Sequence, residues 1–220
     1  MSKKQDMFLL STILLFWFLA GCRTSTITET PILTPFIVTE QSVSTPIADS
    51  LLDTTCTTPC WIGIQIGKTN FEAAKNILLL RYGAENVSIV DNNHMSWKAA
   101  SVDGLSEGNI FFSDNDSASE ILLYPDKRVG FDAEKLFEIL GEPTWVQVFQ
   151  DPNNSCRGID LIYSKTGISV TVELDDNSKG VQPSQNILFV RILDIVLTEN
   201  WNANDSILLE WEGYKNYCSG

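Results

Sequence analysis

Apolar and polar residues are arranged along this chain in three different ways. From Met7 to Gly21 there are fifteen uncharged, mostly apolar residues in a row. After Thr69, and again after Asp132, apolar residues recur at helical spacing. Over most of the remainder they alternate with polar residues or gather in β-branched and aromatic runs, the pattern of strands that bury one face.

The spacing predicts two helices. The first starts at Thr69 with Glu72 three residues on, a capping box, and carries Phe71, Ala74, Ile77, Leu78 and, less regularly, Leu80 on its apolar side. Gly83 can end it in a left-handed cap. The second starts at Asp132 as N-cap and runs through Leu136, Phe137, Ile139 and Leu140, with Gly141 and Pro143 to stop it.

The alternating runs predict nine strands: Asn86–Val90, His94–Ala99, Asn109–Ser113, Ser119–Tyr124, Thr144–Phe149, Ile159–Tyr163, Ile168–Leu174, Ile187–Val196 and Ile207–Trp211. Turn-forming clusters such as Asp91-Asn92-Asn93, Asp114-Asn115-Asp116 and Asp151-Pro152-Asn153-Asn154 lie between them. Short turns between successive strands force antiparallel pairing, so the fold class expected is α+β. The order of helix, four strands, helix and about five strands further suggests a tandem repeat of a helix-plus-antiparallel-strands unit.

Residues 130–143 read Gly-Phe-Asp-Ala-Glu-Lys-Leu-Phe-Glu-Ile-Leu-Gly-Glu-Pro. This stretch resembles the helix motif of the SmpA/OmlA-type small lipoproteins of outer-membrane assembly, Gly-x-Thr, a helix, then Leu-Gly-x-Pro, with Asp132 where that family has Thr. The earlier copy keeps Gly67-Lys68-Thr69 but is longer and lacks the Leu-Gly-x-Pro end. A duplicated unit of this kind is also similar to secreted β-lactamase inhibitor proteins. The stretch from Pro59-Cys60-Trp61 to Gly67-x-Thr69 resembles uncharacterised lipoproteins of Chloroflexi-type bacteria. These likenesses cover about 30 residues and bear on fold more than on function.

The apolar run at the N-terminus follows Lys3 and Lys4 and closes on Leu19-Ala20-Gly21-Cys22. A charged start, an apolar middle and small residues ahead of a cysteine resemble a bacterial lipoprotein signal. The resemblance implies that residues 1–21 are removed and that the Cys22 sulfur carries a diacylglycerol with acyl chains such as palmitate. Two chains on one cysteine anchor stably where a single chain does not. The run is too short to span a bilayer, which takes about 20 residues. The expected location is therefore the extracytoplasmic face of a bacterial membrane.

Residues 22–58 read as a linker: from Arg23 to Thr58 there are 11 Thr, 4 Ser and the prolines Pro31, Pro35 and Pro46, without sustained periodicity. Residues 59–220 then form the single globular domain, long enough to enclose one core.

The four cysteines beyond Cys22 are Cys56, Cys60, Cys156 and Cys218. An even number in an exported chain favours two disulfides, for which three connectivities exist. Cys56–Cys60 and Cys156–Cys218 are the pairing expected, the first closing a tight loop and the second tying down the C-terminus. Cys56-Thr57-Thr58-Pro59-Cys60 is one residue too long for a Cys-x-x-Cys redox pair, and zinc-ligand spacing is absent.

Removing residues 1–21 takes out Lys3, Lys4 and Asp6 and leaves 13 basic against 27 acidic residues, a net charge of −14. Such a surface repels nucleic acid and anionic headgroups, so the lipid and not a basic patch must hold the protein at the membrane.

Catalytic signatures are missing: there is no P-loop, no dinucleotide fingerprint and no nucleophile elbow. His94 is the one histidine and lies in an alternating segment, which reads as a strand position. Asp114-x-Asp116-x-x-x-Glu120 lacks the glycine and the length of a calcium loop, and Asp175-Asp176-Asn177 reads as a hairpin tip. No metal or other cofactor is expected. Trp97, Trp145 and Trp211 fall in strands, Trp61 beside the first cysteine pair, and Trp201 in a polar loop where it could meet a ligand.

The expectation is a non-catalytic module that binds a protein or another envelope component. The alternative is an envelope glycan hydrolase or glycan-binding module using acidic residues and Trp201. Two facing carboxylates, one with a raised pKa, would favour the hydrolase.

Overall fold

The structure, a computed structural model of the 220-residue chain, describes residues 46–51, 56–150, 156–174, 180–194 and 206–218. Its elements are α1 (Pro46–Leu51), β1 (Cys60–Trp61), β2 (Ile64–Gln65), α2 (Phe71–Tyr82), β3 (Val87–Asp91), β4 (His94–Lys98), a 3-10 turn (Val102–Gly104), β5 (Leu105–Phe112), β6 (Ala118–Pro125), α3 (Ala133–Leu140), β7 (Trp145–Gln150), β8 (Cys156–Tyr163), β9 (Ile168–Val172), β10 (Ile187–Leu193) and β11 (Ser206–Glu210).

All nine expected strands are present, and they form one sheet in the order β11-β7-β8-β9-β10-β6-β5-β4-β3. Every neighbouring pair in it is antiparallel, so the fold is α+β. Each of α2 and α3 leads into a four-strand meander, β3–β6 or β7–β10, and the two meanders meet where β10 lies beside β6. β1 and β2 make a separate two-residue pair.

The helix starts follow from local hydrogen bonding. Asp132 caps α3, its carboxylate accepting from the Lys135 amide at 3.0 Å, as expected. At α2 the cap is Asn70, which accepts from the Ala73 amide at 2.9 Å. The capping box at Thr69 does not form, because the Thr69 hydroxyl accepts from the Gln65 amide and its carbonyl from the Ala118 amide. Thr69 is thus committed to the turn after β2, and the helix begins one residue later. Glu72 pairs with Lys75. Ala74, Leu78 and Tyr82 are the buried residues of α2, while Leu80 is 89% exposed, so it leaves the apolar side expected of it. Gly83 ends α2 with φ 84° and ψ 154°, a positive φ outside the left-handed helical region.

The core lies between the helices and one sheet face. Trp61, Trp97 and Tyr82 stack at its centre, with Trp61 5.2 Å from Trp97 and Tyr82 5.9 Å from Trp97. Met95, Ile110, Ile121, Leu123, Val170 and Val190 continue it along the sheet. α1 adds Ile47 and Leu51, both buried, so ordered packing begins inside the stretch that reads as linker. Gly104 permits that approach: a Cβ there would lie 3.1 Å from the Ile47 amide nitrogen.

Cys56 stands at disulfide distance from Cys60, and Cys156 from Cys218, with Cα separations of 6.0 and 5.5 Å. The last described residues fold back over the domain, Tyr217 stacking on Trp211 at 5.8 Å and Asn216 bridging to Gly180. Among the described residues no helix is long and apolar enough to cross a membrane.

Candidate binding face on the open side of the sheet

Period-two alternation sends every second strand residue away from the helices, and the antiparallel register aligns these residues into rows across the sheet. One row runs Lys98, Glu107, Tyr124, then Phe189, Thr171, Asp160, Gln147. The next runs Ser88, Ser96, Asn109, Leu122, Arg191, Ser169, Ile162, Trp145. A third holds His94, Phe111, Glu120 and Leu193.

Burial divides this outer face in two. Over β7–β9 it is enclosed: Gln147 is 1% exposed, Asp160 2%, Ser169 1% and Ile162 0%. Over β4, β5, β6 and β10 it is open, with Lys98 and Glu107 exposed and His94, Ser96, Asn109, Phe111, Leu122, Tyr124 and Phe189 half-buried.

The open half is built from aromatic pairs and one ion pair. His94 stacks on Phe111 at 4.4 Å, and its Nε2 lies 3.0 Å from Asn109 Oδ1. Tyr124 and Phe189 are 6.0 Å apart across the junction of the meanders. The Arg191 guanidinium sits 5.6 Å over the Phe189 ring, and its Nε is 2.8 Å from Glu120 Oε1. At the β3 side of this half is a depression of about 220 Å³, whose lining includes Asn86, Ser88, Ser96, Lys98, Glu107 and Asn109.

In the enclosed half, burial pushes the Asp160 carboxyl above its ordinary range, and the Thr171 hydroxyl, the Arg191 charge and the Ser169 hydroxyl pull the other way. Both hydroxyls donate to the carboxylate, Ser169 at 3.3 Å. Two more networks lie where β4 leads into β5. Asp103 accepts from Tyr82 Oη at 2.8 Å and from Arg81 Nε at 3.1 Å. Asp126 is held well below the carboxylate range by Arg128, then by Ser101.

The cysteines and His94 are placed as described, while Cys22, Trp201 and Asp175-Asp176-Asn177 lie outside the described residues. Trp61 and Trp97 are core residues, at 0% and 2% exposure. Trp145 and Trp211 are half-buried, with Phe137 5.1 Å from Trp211 and Tyr214 5.8 Å from it. Asp114 and Asp116 are exposed on the β5–β6 turn, whereas Glu120 pairs with Arg191. Among the described residues no three His, Cys, Asp or Glu side chains gather to hold a metal ion.

Sequence reasoning missed Asp160, Tyr124, Phe189, Arg191 and the depression. Asp160 had a signal, a lone acid within the apolar run Ile159–Tyr163. The others are ordinary strand residues until the register aligns them.

No family model matches the sequence, and no curated protein matches it. Among solved structures it is similar to a DUF4309 family protein (YjgB) from Bacillus subtilis subsp. subtilis str. 168, at 14% identity and a TM-score of 0.39, over 61% of this chain and 84% of that one.

Proposed function

We propose that this protein is an exported, acyl-anchored lipoprotein, held through Cys22 at the extracytoplasmic face of a bacterial membrane, and that its domain is a non-catalytic module binding a component of the cell envelope. The observation that carries the binding reading is the division of the outer face. A sheet with a helical layer on one side and Phe111, Leu122, Tyr124 and Phe189 half-buried on the other presents a contiguous aromatic surface to a partner. The lipid supplies location and the Thr- and Pro-rich stretch after Cys22 supplies reach. Asp160 has the raised pKa a catalytic acid would need, but its oxygens are taken by Thr171 and Ser169, and Glu120 is taken by Arg191. That arrangement favours a structural acid over a hydrolytic pair.

The test uses the full chain extracted in detergent from host membranes, compared with a Tyr124→Ser/Phe189→Ser variant of unchanged melting behaviour. The expected result is reproducible capture of one envelope component by the wild-type chain and its loss in the variant. Equal capture by both overturns the role of this face. Metabolic labelling with palmitate, absent in Cys22→Ser, tests the anchor separately.

A further inference from the structure

The depression beside β3 has a composition that selects its ligand. Two of its amides are half committed: Asn86 Nδ2 donates to the Tyr82 carbonyl at 2.8 Å and to Glu85 Oε1 at 3.3 Å, and Asn109 Oδ1 faces His94 Nε2 at 3.0 Å. Asn86 keeps Oδ1 as an acceptor, and Asn109 keeps Nδ2 as a donor. Between them Ser88 and Ser96 are direct cross-strand partners, as are Lys98 and Glu107 in the neighbouring row. Among the described residues Lys98 and Glu107 form no ion pair, so their side chains face the depression with hydrogen-bonding capacity to offer.

Each ligand class meets a different obstacle here. An anion faces Glu85 and Glu107, a cation faces Lys98 while Glu85 is already engaged by Asn86 Nδ2 at 3.3 Å, and an apolar group would strand the polar lining without partners. A group that both donates and accepts at each of its positions satisfies donors and acceptors together, and this is what the hydroxyls of a sugar do. The volume, about 220 Å³, lies below the roughly 300–1,000 Å³ of sites for drug-sized molecules. It suits one ring. Trp97 and Gly108 complete the lining and supply an apolar patch for the C–H side of such a ring.

We propose that this depression is a saccharide subsite that takes one uncharged pyranose ring of an envelope glycan. This rests on the binding-module reading, because it uses the same open face.

The experiment is an amide NMR titration of the isotopically labelled full chain in detergent with three uncharged disaccharides, chitobiose, maltose and mannobiose. Galacturonate and free lysine serve as the anionic and cationic comparators. The expected result is saturable shifts at Ser96, Lys98 and Asn109 with at least one uncharged sugar. Asn109→Ala and Ser96→Ala, with spectra otherwise native, should each weaken that response about tenfold, and Lys165→Ala, on a different turn, should leave it unchanged. The inference is overturned if no uncharged disaccharide produces shifts, if galacturonate or lysine binds better, or if both variants respond as the wild type does. No sugar response alongside capture that still depends on Tyr124 and Phe189 overturns the subsite alone. Loss of both overturns the module as well. Protein capture abolished by Asn109→Ala without any sugar response assigns the depression to a protein partner and overturns the saccharide.

Discussion

Gly108 lies directly opposite Trp97 in the β4–β5 ladder, and the indole covers it so closely that a Cβ on residue 108 would sit 2.1 Å from Trp97 Cζ2. The glycine is the floor on which the Trp61–Trp97–Tyr82 stack rests. Gly108→Ala should therefore cost more than the usual 1–3 kcal/mol of overpacking, about 3 kcal/mol or above, since the displaced ring is braced on its other face by Trp61. Chemical denaturation followed by tryptophan fluorescence measures this. A variant as stable as the wild type would mean that the stack yields easily.

Tyr82 links that stack to the turn after β4. Its hydroxyl donates to Asp103, whose φ of 58° lies in the left-handed region unfavourable to a side chain. Tyr82→Phe removes a hydrogen bond to a charged acceptor and should lower stability by about 1–2 kcal/mol. Asp103→Gly loses the same contacts but relieves the backbone, so it should cost less than Asp103→Ala. Equal losses in the two Asp103 variants would show that the turn stores no strain.

The two cysteine pairs should differ in worth because they close loops of different length. Cys156 and Cys218 are 62 residues apart, Cys56 and Cys60 only 4. Chain entropy assigns about 4 kcal/mol to the first and about 2 kcal/mol to the second. Paired Cys→Ser variants, compared by urea unfolding, should therefore show the larger loss for Cys156/Cys218. The reverse order would mean that the fold near Cys56 depends on its crosslink for more than entropy.

Asp160 gives a pH signature. Its folded pKa is raised above the ordinary value of 3.8, so between those two values the folded state holds a proton that the unfolded state has released. Stability attributable to this group is greatest at low pH and falls as pH rises through the window from about 3.8 up to the raised value. Asp160→Asn removes the titration while keeping a hydrogen-bonding group for Thr171 and Ser169. The melting temperature of the variant minus that of the wild type should therefore grow more positive as pH rises, then level off. A difference constant with pH would show that Asp160 titrates as a free acid does.

Much of the fold was legible because strands and caps are local. Asp132 and Gly141 bound α3 by their own chemistry, and all nine strands followed from alternation. α1 was not legible: six residues in a Thr- and Pro-rich stretch make no periodic signal, and what orders them is the contact of Ile47 and Leu51 with a core formed by distant residues. Thr69 reads as a cap until its hydroxyl is engaged by Gln65. The binding face was the least legible part. Lys98, Tyr124 and Phe189 share a row only through the β6–β10 pairing of two separate meanders. Alternation also fails to say which outer face is enclosed, since Ser169 and Asp160 are polar and yet buried.

That β6–β10 pairing makes the molecule indivisible. Four residue pairs, from Leu123–Val190 to Glu120–Leu193, are the ladder that turns two meanders into one sheet. Severed there, one half would keep a helix and the four strands β3–β6, the other a helix and the five strands β7–β11, and each would bare a long inner strand, with Ile121 and Leu123 on one and Val190 and Ile192 on the other. Such a strand is a template for pairing with any chain that offers a free edge. Half-length fragments of this protein should therefore self-associate rather than persist as small domains.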